Sequence, residues 1–223
     1  MTIVKICGLR TVEHALVALN AGADYLGMIF APSRRQVGDV QAAAITEALR
    51  AAPIGPSGRR PGLVGVFVNE TPARMLSLHE RLGLAAIQLS GEEDVDLLDQ
   101  LRDVQVLKAV RFNGTPNEDA WLTIDRPAPK LRLLADAHVS GSYGGAGVLG
   151  DWETAANLAG SRPILLAGGL TPQNVAQAIR EVRPWGVDVS SGVETDGVKD
   201  SAKIRAFIAA VRAVDRELEG RAL

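Results

Sequence analysis

The chain has 223 residues, 47% of them hydrophobic and 22% charged, with a net charge of −2 and an isoelectric point near 6.0. That balance leaves no electrostatic footprint for nucleic acid or an anionic membrane, and no apolar run reaches membrane-spanning length. One cysteine, Cys7, cannot make an internal disulfide, and the N-terminus lacks the apolar length and basic flank of a signal peptide, so a cytoplasmic protein is expected. Apolar β-rich runs then alternate with amphipathic stretches. IVKIC at 3–7 reads as the first strand, followed by a helix capped by Thr11 and ended by Gly22. DYLGMIF at 24–30 is the second strand, and its helix over 40–52 stops at Pro53. The third strand spans 62–69, and Thr71 with Pro72 opens a helix that Gly83 closes. LAAIQLS at 84–90 is the fourth strand, with a helix over 92–102 that is acidic at its start and basic at its end.

The fifth strand is VQVLKAVR at 104–111, before a short helix over 117–124. KLRLLAD at 130–136 is the sixth, and a glycine-rich loop leads to a helix over 152–160. PILLAG at 163–168 is the seventh, with Thr171 and Pro172 opening its helix. WGVDVSS at 185–191 is the eighth, and the last helix runs from Lys199 to about Glu219. Eight strand–helix units with strands apolar on both faces predict an α/β fold, a single-domain (β/α)8 TIM barrel over residues 1–223. A doubly wound open sheet is the alternative, but its glycine fingerprint would follow the first strand, whereas here glycines gather after the sixth, seventh and eighth. PIGPSGRRPG, at 53–62, reads as an exposed, flexible basic loop on the face opposite the active site.

In such a barrel, reactive groups sit at the C-terminal ends of strands. Those positions hold Cys7, the APSRRQ loop, Asn69, Gln88, Arg111, Asp136 and Asp188. AGGL at 167–170 and SSG at 190–192 end the last two strands, where glycine lets backbone N–H groups approach a phosphate. Arg34 and Arg35 offer planar forks for a carboxylate or phosphate. A thiolate at Cys7 can accept a proton and a protonated Asp136 can donate one. The first needs nearby positive charge, the second burial or a negative neighbour. Buried cysteine is usually inert filler, whereas an aspartate closing LRLLAD needs a partner. His14 and His79 fall within helices, His138 lies in the loop after Asp136, and no spacing resembles a metal site.

VKICGLR, GADYLGMIFAPSRRQV, VGVFVN, IQLSGEE, YGGAGVLGDW, LAGGLTPQNV and GVDVSSGVE followed by GVKD occur in one order along the whole chain. In these the sequence resembles the phosphoribosylanthranilate isomerase family. The resemblance implies an Amadori rearrangement of N-(5-phosphoribosyl)anthranilate to 1-(2-carboxyphenylamino)-1-deoxyribulose 5-phosphate in tryptophan biosynthesis. It places the general base on Cys7, the general acid on Asp136 and the anthranilate-carboxylate arginine on Arg35, with Arg34 the other register. Gln88 and Asp188 join Arg35 in substrate binding, and Gly168, Gly169, Ser190, Ser191 and Gly192 hold the phosphate. Protons alone move, so the resemblance implies no metal and no cofactor. A small phosphorylated substrate, no nucleic-acid or membrane partner, and a monomer rather than a homodimer are expected. Departures are Ser90 where the family usually has histidine, Ala135 before Asp136, GGAG for GGTG, and Gly150 for an aromatic. Two other readings stand beside this one. A related sugar isomerase of histidine biosynthesis, or a dual-specificity relative, would carry aspartate at position 7. A non-catalytic barrel binder would have no use for Cys7 and Asp136.

Overall fold

The computed structural model describes residues 1–125, 130–136 and 151–220. Parallel strands close into a barrel in chain order: β1 (Ile3–Cys7), β2 (Tyr25–Ile29), β3 (Gly62–Phe67), β4 (Ala86–Leu89), β5 (Val106–Val110), β6 (Leu131–Asp136), β7 (Ile164–Ala167) and β8 (Gly186–Val189). β8 returns to pair with β1, so the sheet has no open edge. Around it lie α1 (Val12–Ala21), α2 (Asp39–Ala51), α3 (Pro72–Leu82), α4 (Leu97–Gln100), α5 (Pro116–Thr123), α6 (Trp152–Ser161), α7 (Val175–Val182) and α8 (Ser201–Gly220).

Side chains alternate across each strand, which gives the sheet two apolar faces. Val4, Ile6, Leu26, Met28, Leu133, Leu166 and Val187 point outward into a core shared with the helices. Val64, Ala86, Leu107, Ala109, Leu134, Leu165 and Ala167 fill the barrel interior. Local signals set several helix ends. The Thr11 side chain accepts from His14 N–H, and Gly22 ends α1 at φ 93. Thr71 caps α3 through Arg74 N–H, with Pro72 in its first turn and Gly83 at φ 64 after it.

Three elements differ from the sequence reading. The helix expected over 92–102 is only Leu97–Gln100. Glu93 turns inward instead, accepting from Asn69 N–H and Gly91 N–H and pairing with Lys108 Nζ at 2.7 Å. A carboxylate committed to that loop cannot serve as first-turn charge on a helix. The helix expected from Pro172 starts at Val175, because Thr171 and Asn174 bond each other in a closed turn. The last helix starts at Ser201 rather than Lys199, because β9 (Glu194–Thr195) and β10 (Val198–Lys199) form a hairpin. Its turn residues Asp196 and Gly197 both have positive φ, 51 and 77, the geometry that Asp-Gly favours.

The basic loop after α2 is tied down at the opposite face. Arg59 pairs with Asp24, and Arg60 donates to the carbonyls of Leu49 and Ala52. Asp24 also accepts from Val4 N–H and from Arg212, while Asp215 accepts from Thr2 and Arg212. This network joins the N-terminal end of the barrel to α8, where barrels place stability rather than catalysis. His138 and the YGGAG loop, with Gly150, lie outside the described residues.

Candidate active site

At the C-terminal ends of the strands, a cavity of ≈ 530 Å³ is lined by Gln88, Ser90, Arg111, Asp136, Asp188 and two glycine turns. Gly168 and Gly169 take φ 89 and 65, in the left-handed region that favours glycine. A Cβ on Gly192 would fall 1.8 Å from the Leu170 carbonyl oxygen, so the second turn packs directly on the backbone of the first. Gly168, Gly169, Ser190, Ser191 and Gly192 therefore share one wall.

Asp136 closes β6, half-buried, with Ala167 of β7 as its register partner, and Asp188 of β8 is the register partner of Lys5 on β1. Cys7 closes β1 beside the cavity rather than on its lining, and is 5% exposed. Its register partner is Gly27, where an added Cβ would stand 2.8 Å from Cys7 Sγ. Glycine at 27 thus makes the space that the thiol occupies.

Lys5 lies two residues before Cys7 and so faces the same way. It is fully buried, its Nζ is 2.9 Å from Asp188 Oδ1, and its Nζ and Cys7 Sγ both border the space beside Gly27, 3.3 and 2.8 Å from where a Cβ would stand there. Burial pushes the Cys7 thiol up, Lys5 draws it down and Asp188 pushes it up again, leaving it raised. Burial works against the charge on Lys5, yet Asp188 and Cys7 hold its pKa above the ordinary value. Sequence reasoning missed Lys5. The signal was available, since IVKIC places a charge in phase with the cysteine inside an apolar strand.

Arg35 lines a smaller groove next to the cavity, with Gly8, Arg10, Glu194 and Lys199. Gly8 sits at φ 78, and a Cβ there would lie 2.7 Å from Arg35 Cδ, so glycine lets the arginine cross the chain. Arg35 donates to both oxygens of Glu194, Nε at 2.6 Å and Nη2 at 2.8 Å. Lys199 Nζ donates to Glu194 Oε1 and to the Ser190 carbonyl, both at 2.8 Å. Ser190 Oγ donates to the Cys7 carbonyl at 3.1 Å. Burial disfavours the Glu194 carboxylate, but hydrogen bonds from Arg35 and Lys199 outweigh it and hold its pKa down to about 2. Glu194 and Lys199 were also missed, and the Asp196-Gly197 turn was the signal that would have found them.

Gln88 is buried and donates from Nε2 to Ser90 Oγ at 3.1 Å, while its Oε1 is buried with no partner among the described residues. Ser90 thus bonds the glutamine side chain, and its carbonyl accepts from Arg111 Nη2 at 2.8 Å. Asn69 does not join the cavity, because its side-chain oxygen accepts from Glu92 N–H and braces the loop after β4. His14 bonds Thr11 at the start of α1, and His79 lies in α3. The arrangement thus brings together a carboxyl group at Asp136, a thiol beside a buried cation, and two glycine turns with an arginine groove next to them.

The model of the family described as N-(5'phosphoribosyl)anthranilate (PRA) isomerase matches residues 4–210. An N-(5'-phosphoribosyl)anthranilate isomerase of Roseiflexus castenholzii is 58% identical over 214 residues, covering 96% of this chain and 100% of its own. One from Acetivibrio thermocellus is 40% identical over 225 residues, covering 96% and 98%. Among solved structures, the phosphoribosyl anthranilate isomerase of Thermotoga maritima superposes with a TM-score of 0.80 at 35% identity, covering 96% of this chain and 100% of that one. A phosphoribosyl anthranilate isomerase in complex with reduced 1-(o-carboxyphenylamino)-1-deoxyribulose 5-phosphate gives 0.77 at 34% identity, with coverage of 96% and 100%.

Proposed function

The chain belongs to the N-(5'-phosphoribosyl)anthranilate isomerase family, and from that premise we infer that its cavity converts N-(5-phosphoribosyl)anthranilate to 1-(2-carboxyphenylamino)-1-deoxyribulose 5-phosphate in tryptophan biosynthesis. The substrate carries a phosphate at one end and an aromatic carboxylate at the other. The wall of glycine turns receives the phosphate through Gly168, Gly169, Ser190, Ser191 and Gly192. Arg35 receives the carboxylate, and Gln88 and Asp188 receive the sugar. Holding both ends orients the reacting carbons between acid and base.

Asp136 gives its proton to the ring oxygen as the C1′–oxygen bond breaks, and the nitrogen lone pair forms the Schiff base. Cys7, as thiolate, takes the C2′ proton, and the electron pair moves to give the enolamine. Tautomerisation then yields the ketose. One proton leaves Asp136 and one arrives at Cys7, so the resting site is restored by proton return through solvent. Lys5 supplies the positive charge that favours the thiolate. The observation that carries this reading is the shared cavity of Asp136 and the two glycine turns, with Cys7 ending the strand next to β8.

The reading takes residues 1–223 as one domain, acting as a cytoplasmic monomer without cofactor. No helix among the described residues is long and apolar enough to cross a membrane. Sedimentation at working concentration tests the monomer, and a dimer would correct it. The activity is tested by incubating the protein with N-(5-phosphoribosyl)anthranilate and following the sugar by NMR. The expected product has unchanged mass, with the anomeric proton replaced by a C1′ methylene. Substrate left unconverted beyond its uncatalysed decay would overturn the reading.

A further inference from the structure

The Arg35 guanidinium is a planar fork with a side edge, Nε and Nη2, and an end edge, Nη1 and Nη2. Glu194 closes the side edge with two short hydrogen bonds, at 2.6 and 2.8 Å. The end edge is then the one presented to another carboxylate. We propose that Glu194 is a positioning residue for the isomerase reaction, holding the side edge of Arg35 so that its end edge meets the carboxylate on the substrate's aromatic ring. The inference rests on the role given to Arg35 above.

The surroundings of Glu194 suit that task. It stands on β9 directly opposite Lys199 on β10, and both side chains are 4% exposed. Oε1 accepts from Arg35 Nε and Lys199 Nζ, and Oε2 from Nη2 of Arg35 and of Arg34. Every lone-pair direction is used, so the carboxylate has little freedom to turn. Arg35 and Lys199 against Glu194 leave one net positive charge, which matches one incoming carboxylate. Arg34, with its side chain 61% exposed, adds a screened charge only. The depressed Glu194 pKa keeps the carboxylate ionised throughout the working pH range.

A double-mutant cycle separates this role from simple neutralisation of buried cations. Steady-state kinetics are measured for Arg35→Ala, Glu194→Gln and the double variant, with thermal unfolding as the check on folding. Arg35→Ala is expected to raise KM about tenfold or more, and Glu194→Gln about five- to tenfold with kcat within about threefold. The double variant should be no worse than Arg35→Ala alone, because Glu194 acts through the arginine. Should Glu194→Gln fail to fold, Glu194→Asp keeps the charge but loses reach, and a smaller KM rise that vanishes without Arg35 is expected. Multiplying effects, or an unchanged KM in the Glu194 variants while Arg35→Ala raises it, would overturn the inference and leave the Arg35 role standing. An unchanged KM in Arg35→Ala would instead remove the Arg35 role, and the inference with it.

Discussion

Lys5 Nζ lies 2.9 Å from Asp188 Oδ1 inside the barrel, and none of the lysine side chain reaches solvent. A buried ammonium needs partners to remain charged. Lys5 has one in a carboxylate that lines the cavity, and the only thiol of the chain shares with its Nζ the space beside Gly27. Cys7 is therefore not a cysteine surrounded by hydrocarbon, even though it is 5% exposed.

Replacing Lys5 by methionine removes the charge that draws the thiol down. Asp188, Lys199 and Arg35 still act on the site, and burial together with Asp188 keeps the thiol raised. The pH limb of kcat/KM that reports thiol ionisation should move to higher pH. Turnover at neutral pH should fall about 10–10²-fold, with part of it regained in alkaline buffer. A limb that stays in place in Lys5→Met would break the link between lysine and thiol.

Gly27→Ala tests the space that the sheet makes for the thiol. The new Cβ would lie 2.8 Å from Cys7 Sγ and 3.2 Å from Cys7 Cα, so the side chain must move. Turnover should drop at least about tenfold. Stability should change by no more than about 1–3 kcal/mol, as for other overpacked cores. Full activity in a folded Gly27→Ala protein would show that the thiol position is not critical.

The barrel was legible because strand period, helix caps and glycine stops agree along the chain. Asp136 was legible as a charge at the end of an apolar run, and the two glycine turns by their places after β7 and β8. Lys5 was hidden because one lysine in an apolar strand looks like an edge or a strand end until the barrel closes around it. The partnership of Arg35 with Glu194 joins residues 159 apart in sequence, and no local pattern encodes it. The helix expected over 92–102 failed for a similar reason, since the partner that draws Glu93 inward is Lys108 on the next strand.

Lys108 and Glu93 form a second buried pair, with side chains 4% and 3% exposed, on the outer side of β5. Lys108→Met leaves that carboxylate without its cation and should cost about 3–5 kcal/mol of stability. Burial opposes the charge on Glu93, but Lys108 and backbone N–H groups hold its pKa below 4.5. Its stabilising contribution is therefore complete above pH 4.5 and is lost as pH falls through the lower folded value. Urea unfolding at pH 7 and at pH 3 should show the variant's deficit shrinking in acid. A deficit that persists in full at pH 3 would contradict the ion-pair account.

Gly192→Ala should disrupt the wall between the two turns, because its Cβ would collide with the Leu170 carbonyl at 1.8 Å. KM for the phosphorylated substrate should rise at least about tenfold, and inhibition by inorganic phosphate should weaken in parallel. A rise in KM without any change in phosphate inhibition would argue that the wall holds another part of the substrate.

The central claim is that Asp136 and Cys7 are the acid and the base. Turnover of N-(5-phosphoribosyl)anthranilate by Cys7→Ala and by Asp136→Asn tests it most directly, with folding checked by thermal unfolding. Each variant is predicted to fold and to lose about 10²–10⁴-fold in kcat. Full turnover in either folded variant would contradict the assignment.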